Sequence, residues 1–192
     1  MSAVGRDALD ALYASTDDPW NFRTSDYERA KYDATIAALP RTTFRSILEI
    51  GCGNGELARR LAPRAERYTG VDAVEVALDA ARRAVPEGRF HRVYLPCDLP
   101  TGAHDLLVLS EILYFLDEPG LGSLAVQIDR RWPAAELLCV TWLGPSGNAL
   151  EGGEALRLFG DATARATRCV RMDPAYRIDL FAPLSEKEGR CE

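Results

Sequence analysis

The residues best suited to chemistry cluster in Glu49-Ile50-Gly51-Cys52-Gly53-Asn54-Gly55-Glu56, with a further carboxylate at Asp72, 21 residues after Gly51. Glycines at alternate positions let a backbone approach a ligand closely and adopt conformations closed to other residues. The apolar run ending at Ile50 reads as a strand, and the helical pattern from about Glu56 would aim its free N–H groups at the same spot. Tyr68 to Asp72 reads as a second strand whose terminal carboxylate can accept both hydroxyls of a ribose. A nucleoside-bearing cofactor is implied. A pyrophosphate suits the site poorly, because Glu56 occupies the sixth position of the glycine pattern, where dinucleotide sites need a small residue, and Glu49 adds another anion. A cofactor with a cationic centre, an ammonium and no phosphate fits better.

A second group of candidates follows the most apolar stretch, Asp105 to Ser110, a continuous run expected of a central strand buried on both faces. Glu111 follows it at the carboxyl end, where open α/β sheets bind ligands, and could accept a proton from an amine or steer a cationic one. Its bland alternative is a carboxylate capping the next turn. Tyr114 lies one helical turn on. Trp20 and Phe22, in the proline-broken segment Asp17-Asp18-Pro19-Trp20-Asn21-Phe22, read either as a lid that excludes water or as anchors for an N-terminal arm. Trp142, beyond the fifth strand, carries the same ambiguity. Tyr27-x-x-x-Lys31 has the tyrosine–lysine spacing of short-chain dehydrogenases, but there the pair follows the cofactor motif and here it precedes it, so only a place along the arm is expected. Of the two histidines, His104 precedes the fourth strand at the far edge of the sheet, which predicts a surface role. Cys52, between Glu49 and Glu56, has no neighbour favouring a thiolate and is expected to be inert.

The elements that must position these residues alternate. A short helix is expected over Val4 to Ala14, with apolar residues at 4, 8, 11 and 12. Ser25-x-x-Glu28 is a capping box opening a helix to about Leu39, with Tyr27, Ala30, Ala34 and Ala37 as its apolar side. Leu57 to Arg64, Val74 to Val85, Glu118 to Arg131 and Leu150 to Phe159 read as further helices. Arg89 to Val93 and Glu136 to Leu143 read as strands, Ala164 to Met172 and Tyr176 to Phe181 as a terminal hairpin, and the tail from Ser185 as polar and frayed. Strands alternating with helices predict an α/β fold, a Rossmann-like doubly wound sheet with helices on both faces.

At 192 residues a single domain is expected, with an arm or lid over 1–40, a core over 41–183 and a tail over 184–192. The net charge of -6 argues against a broad nucleic-acid footprint. The five cysteines form no C-x-x-C pair, which argues against a disulfide framework or zinc site and suits a reducing cytoplasm; no metal is expected. No apolar run approaches membrane-spanning length.

Glu49-x-Gly51-x-Gly53-x-Gly55 with Asp72 resembles motif I of the class I S-adenosylmethionine-dependent methyltransferases, in which the first acid and the glycine turn hold the methionine moiety and the later acid holds the ribose. The flanking segments narrow the likeness. Asp18-Pro19-Trp20-Asn21-Phe22 with Ser25, Tyr27-Glu28 and Lys31-Tyr32, then Ser110-Glu111-x-Leu113-Tyr114, then Trp142-x-Gly144, resemble the NodS-like nodulation methyltransferases over about residues 17 to 181. The resemblance implies seven strands, the seventh antiparallel, and N-methylation of an amino sugar or another small-molecule amine with S-adenosyl-L-methionine. It implies cofactor contacts from Trp20, Glu49, Gly51, Cys52, Gly53, Gly55, Asp72, Ala73, Tyr94, Leu95 and Ser110, substrate contacts from Phe22, Tyr27, Tyr32 and Trp142, and catalysis by Glu111 with Tyr114. The sequence departs from the pattern twice. Tyr94, with Asp98 slightly later, stands where many class I enzymes place an acid near the adenine, and Thr141 stands where a histidine is expected before the tryptophan. O-methylation of a hydroxylated metabolite, and a silent cofactor-binding partner, are alternatives these residues leave open.

Overall fold

The computed structural model describes residues 3–184; the tail expected to fray from Ser185 lies outside the described residues. Helices α1 (Arg6–Leu12) and α2 (Asp26–Ala37) precede β1 (Phe44–Ile50). Then come α3 (Ala58–Leu61), β2 (Ala65–Asp72), α4 (Glu75–Ala84), β3 (Arg89–Arg92), β4 (Leu106–Ser110), α5 (Glu118–Arg131), β5 (Glu136–Trp142), α6 (Gly152–Ala162), β6 (Thr167–Met172) and β7 (Tyr176–Phe181). The seven strands form one sheet in the order β3-β2-β1-β4-β5-β7-β6, as expected for a Rossmann-like α/β fold. β1 to β5 are mutually parallel, and β7 enters antiparallel between β5 and β6.

Successive side chains of a strand face opposite ways, so a strand covered on both faces is apolar throughout. In β4, Leu106 and Val108 face Leu61, Leu78 and Ala81, while Leu107 and Leu109 face Leu121, Leu124, Ile128 and Phe159. Each of these four strand residues is completely buried. At roughly 1.5–3 kcal/mol per buried aliphatic side chain, this strip anchors the sheet. The chain runs β1-β2-β3 toward one edge and β4-β5 toward the other, so the direction of winding reverses between β1 and β4. Loops leave that point in opposite directions and open a crevice there. Gly51 and Glu111 each follow one of these two strands.

Three expectations need correction. The helix after the glycine turn is a single α-turn, Ala58–Leu61, continued as a 3-10 turn over Ala62–Arg64, where Pro63 lacks an N–H for regular pairing. It is too short to supply a directed helix N-terminus. α1 buries none of its residues: Ala8, Ala11 and Leu12 are exposed, and Tyr13, just past its end, is the residue that goes inside. α2 is turned over. Tyr27, Ala30 and Ala37 are exposed, and the buried face is Glu28, Lys31, Tyr32 and Thr35. Half of the capping box forms, with Ser25 Oγ accepting from the Glu28 N–H at 3.2 Å, while the Glu28 carboxylate turns inward. No helix among the described residues is long and apolar enough to cross a membrane.

Gly55 has φ +85, and a Cβ there would lie 2.8 Å from Ala81 Cα on α4. Gly55→Ala should therefore combine left-handed strain with overpacking and lower stability by at least about 2 kcal/mol. Urea unfolding measures it; a midpoint equal to that of the parent would contradict this packing role.

Candidate functional site

The crevice is a cavity of about 720 Å³ beyond the carboxyl ends of the parallel strands. It is lined by Trp20, Phe22, Tyr27, Tyr32, Glu49, Gly51, Cys52, Gly53, Asp72, Ala73, Tyr94, Leu95, Ser110, Glu111, Tyr114 and Trp142, every site residue expected from the sequence except one. Gly55 is the exception and is corrected from ligand contact to helix packing.

At one end, Gly51 at φ +83 and Gly53 at φ +50 wrap the backbone under the cavity. A Cβ on Gly51 would lie 2.8 Å from the Ser110 carbonyl and collide with Ile112, so only glycine lets the turn after β1 pass the end of β4. Asp72 is held from both sides: Gly53 N–H donates to Oδ2 at 2.9 Å and Val74 N–H to Oδ1 at 3.0 Å. Each carboxylate oxygen keeps a further acceptor site. Burial raises the Asp72 pKa, opposed by these N–H groups. Cys52 is buried with its thiol pKa pushed up by burial, in keeping with the expected inertness.

Glu49 departs from the anion expected of it in the sequence. It is completely buried, Tyr68 Oη donates to its Oε2, and its Oε1 has no hydrogen-bond partner. Burial pushes its pKa up to about 8, against the Tyr68 hydrogen bond, which favours the protonated form at neutral pH. Glu56 is partly neutralised by Arg59 at 3.4 Å and Arg23 at 3.9 Å.

The other end is built by α2, the end of β4 and the loop after β5. Glu111 has a left-handed backbone, φ 55, a conformation costing of order 1–3 kcal/mol in a non-glycine residue and held only where surroundings impose it. Its Oε1 accepts from Lys31 Nζ at 2.7 Å; the hydrogen bond goes to the lysine, not to the following turn. Lys31 is 3% exposed and donates also to Glu28 Oε1 at 3.0 Å. Burial raises the Glu111 pKa and Lys31 opposes that rise. Tyr27 lies edge-on to Trp142, with Lys31 Nζ 5.3 Å from its ring centre. Tyr114, in a 3-10 turn over Leu113–Phe115, completes this wall.

The segment before β1 covers the cavity. Asp18 Oδ1 accepts from the Phe22 N–H at 2.7 Å and from Asn54 Nδ2 at 3.0 Å, tying the arm to the glycine turn. Trp20 stacks on Phe22 and meets Tyr13 edge-on. Tyr94 Oη donates to the Val4 carbonyl at 2.6 Å, so it also anchors the arm. Asp98 is exposed and lies outside the cavity wall. Thr141, at the second departure, is buried near Cys139, 3.5 Å away, and does not line the cavity, whereas Trp142 does. His104 lies outside the cavity wall, partly buried, with Nδ1 2.9 Å from Ser46 Oγ and its ring against Trp132. Sequence reasoning missed Glu28, Lys31 as an ion-pair partner, Asn54 and Asp18. The signal was the spacing of Glu28, Lys31, Tyr32 and Thr35, a helical face of mostly polar residues.

Seven strands in this order, with an antiparallel seventh and a glycine turn facing a strand-end carboxylate, define the Rossmann-like fold of the class I methyltransferases. The chain belongs to the family of nodulation protein S (NodS), whose profile matches residues 5–126. It is 34% identical over 108 residues to nodulation protein S of Bradyrhizobium diazoefficiens, an alignment covering 53% of this chain and 51% of that protein. The chain spans about half the length of such curated relatives. Among solved structures, the N-methyltransferase NodS of Bradyrhizobium japonicum in complex with S-adenosyl-L-homocysteine has a TM-score of 0.77 at 18% identity, covering 92% of this chain and 97% of that one. A putative methyltransferase from Pseudomonas syringae has a TM-score of 0.69 at 31% identity, covering 81% and 97%.

The buried Glu49 yields a pH prediction. Its folded pKa of about 8 lies above the ordinary 4.5, so the native state keeps a proton that the unfolded chain releases. Stability from this group is full below the ordinary value and falls as pH rises toward the folded one. Between about pH 5.5 and 7.5 the parent protein should lose roughly 2–3 kcal/mol relative to Glu49→Gln, at about 1.4 kcal/mol per pH unit. Parallel stability–pH curves from chemical denaturation would contradict this protonation.

Proposed function

We propose that this protein is an S-adenosylmethionine-dependent methyltransferase that methylates the amino group of a small molecule, most specifically an amino sugar. The observation that carries this reading is a buried carboxylate that shares one cavity with the residues suited to a nucleoside: Glu111, on its left-handed backbone, lines the same cavity as Asp72 and the glycine turn. The residues present fit the cofactor. Once ionised, Glu49 would offer its unpaired, buried Oε1 as an acceptor for the methionine ammonium, whose positive charge favours that ionisation. Gly51 and Gly53 give close backbone approach, Asp72 would hold the ribose hydroxyls, and Ala73, Tyr94 and Leu95 would take the base. When bound, S-adenosylmethionine supplies an electrophilic methyl group on a sulfonium.

The protein's own work is then positioning, exclusion of water and management of one proton. An ammonium has no free lone pair, so it must lose a proton before nitrogen can form a bond to carbon. Glu111 accepts that proton, and its burial keeps it a stronger base than an ordinary carboxylate, while Lys31 keeps it charged. The stack of Tyr13, Trp20 and Phe22 covers the glycine turn and shields the cradle. The solved relative from Bradyrhizobium japonicum supports nitrogen as the acceptor, since that protein is an N-methyltransferase.

Glu111→Gln keeps the shape but removes the acceptor, and turnover at neutral pH should fall at least ~100-fold, with partial recovery at higher pH as free amine accumulates. Calorimetry should find the affinity for S-adenosyl-L-homocysteine nearly unchanged in that variant. Normal turnover per folded molecule would end the assignment of Glu111. In Asp72→Ala the same affinity should fall by roughly tenfold or more, as a charge-assisted hydrogen bond is lost; unchanged affinity would remove Asp72 from the cradle.

A further inference from the structure

Of the residues lining the cavity, five are acidic (Glu28, Glu49, Glu56, Asp72 and Glu111), and the single basic residue is Lys31. Lys31 cannot serve as a free anion receptor, because its ammonium sits between Glu111 Oε1 at 2.7 Å and Glu28 at 2.9–3.0 Å. The three groups together carry one uncompensated negative charge when ionised. They are also enclosed: Lys31 is 3% exposed and Glu28 8%. A buried net charge is costly unless a partner completes it. Lys31 Nζ lies 2.9 Å from Glu28 Oε2, 3.0 Å from Glu28 Oε1 and 2.7 Å from Glu111 Oε1, so a single ammonium is shared among three carboxylate oxygens and one negative charge is left over. Tyr27, Tyr32, Tyr114 and Trp142 line the same end, and aromatic faces favour a cation.

We propose that Glu28, Lys31 and Glu111 form a receptor for one further cation, so that the amine is bound as its ammonium and an alcohol of the same shape is rejected. Glu28 is the specificity-determining residue and Lys31 a positioning residue. By occupying Glu111 Oε1, Lys31 fixes the carboxylate and leaves Oε2 to the ligand. Glu28 supplies the second negative charge, without which the lysine and Glu111 would cancel and a cation would gain nothing over a neutral hydroxyl. The inference rests on the amine reading above, yet it concerns recognition and can be tested without methyl transfer.

The test is calorimetry on the complex with S-adenosyl-L-homocysteine at about pH 6.5, below the range where simple α-amino groups lose their proton. The probes are glucosamine against glucose and ethanolamine against ethylene glycol. The parent should prefer the amine of at least one pair. Glu28→Gln retains an acceptor for Lys31 and brings the cluster to zero net charge; its preference should fall roughly tenfold, the scale of one lost charged contact. Glu28→Asp keeps the second negative charge and should retain most of the preference, whereas residues that merely held the structure would show no such dependence on charge. No amine preference in the parent, or a Glu28→Asp variant no better than Glu28→Gln, would overturn the receptor. If the charge pattern holds but no amine is methylated, the proposed activity fails and the receptor stands. If amines are methylated without the pattern, the receptor fails alone.

Discussion

The hydrogen-bonded ion pair between Lys31 on α2 and Glu111 at the end of β4 joins parts of the chain 80 residues apart. Neither partner could be buried alone: an unpaired charge in a protein interior costs several kcal/mol, and removing one member of such a pair is correspondingly damaging. The pair therefore does two things with one contact. It docks the N-terminal arm beside the apolar contacts of Tyr32 and Ile36, and it holds Glu111 in a backbone conformation that open chain would avoid. Much of the cavity's geometry follows. The aromatic segment before α2 comes to rest over the glycine turn, and Asp18 secures it there through Asn54.

The two ends of the cavity differ in how they are made. The cradle end is backbone architecture, with alternating glycines, strand-end N–H groups and a carboxylate already aligned by two of them. The opposite end is side-chain architecture, in which acids, a lysine and aromatic rings from three elements converge. Both ends exist because the sheet reverses its winding between β1 and β4, so that loops diverge and leave space. Electrostatics unites them. An acidic lining with one internal cation suits ligands that bring positive charge, whether sulfonium, ammonium or protonated amine.

The sheet and the glycine turn are legible in the sequence because their signals are local. Apolar runs such as Leu106 to Leu109 mark strands buried on both faces, and glycine spacing marks a turn regardless of what packs around it. α2 was misread because its pattern was judged on the assumption that apolar residues face inward. This helix packs partly against a ligand cavity, where paired charges replace a core, so Glu28 and Lys31 face in while Ala30 and Ala37 face out. Gly55 was misassigned for a related reason. The motif's glycines look equivalent in sequence, but only the contact with Ala81 reveals that the third serves helix packing. Long-range partners such as Asp18 with Asn54 leave no local pattern at all.

Transfer of a methyl group to nitrogen is the central claim, and product analysis tests it most directly. The protein would be incubated with S-adenosylmethionine and an equimolar mixture of an amino sugar and its hydroxyl counterpart, and the products resolved by mass spectrometry and located by fragmentation. The predicted result is a methyl group on the amine nitrogen, with the hydroxyl compound unchanged. Methylation of oxygen, or cofactor binding with neither compound methylated across a panel of amines, would contradict it.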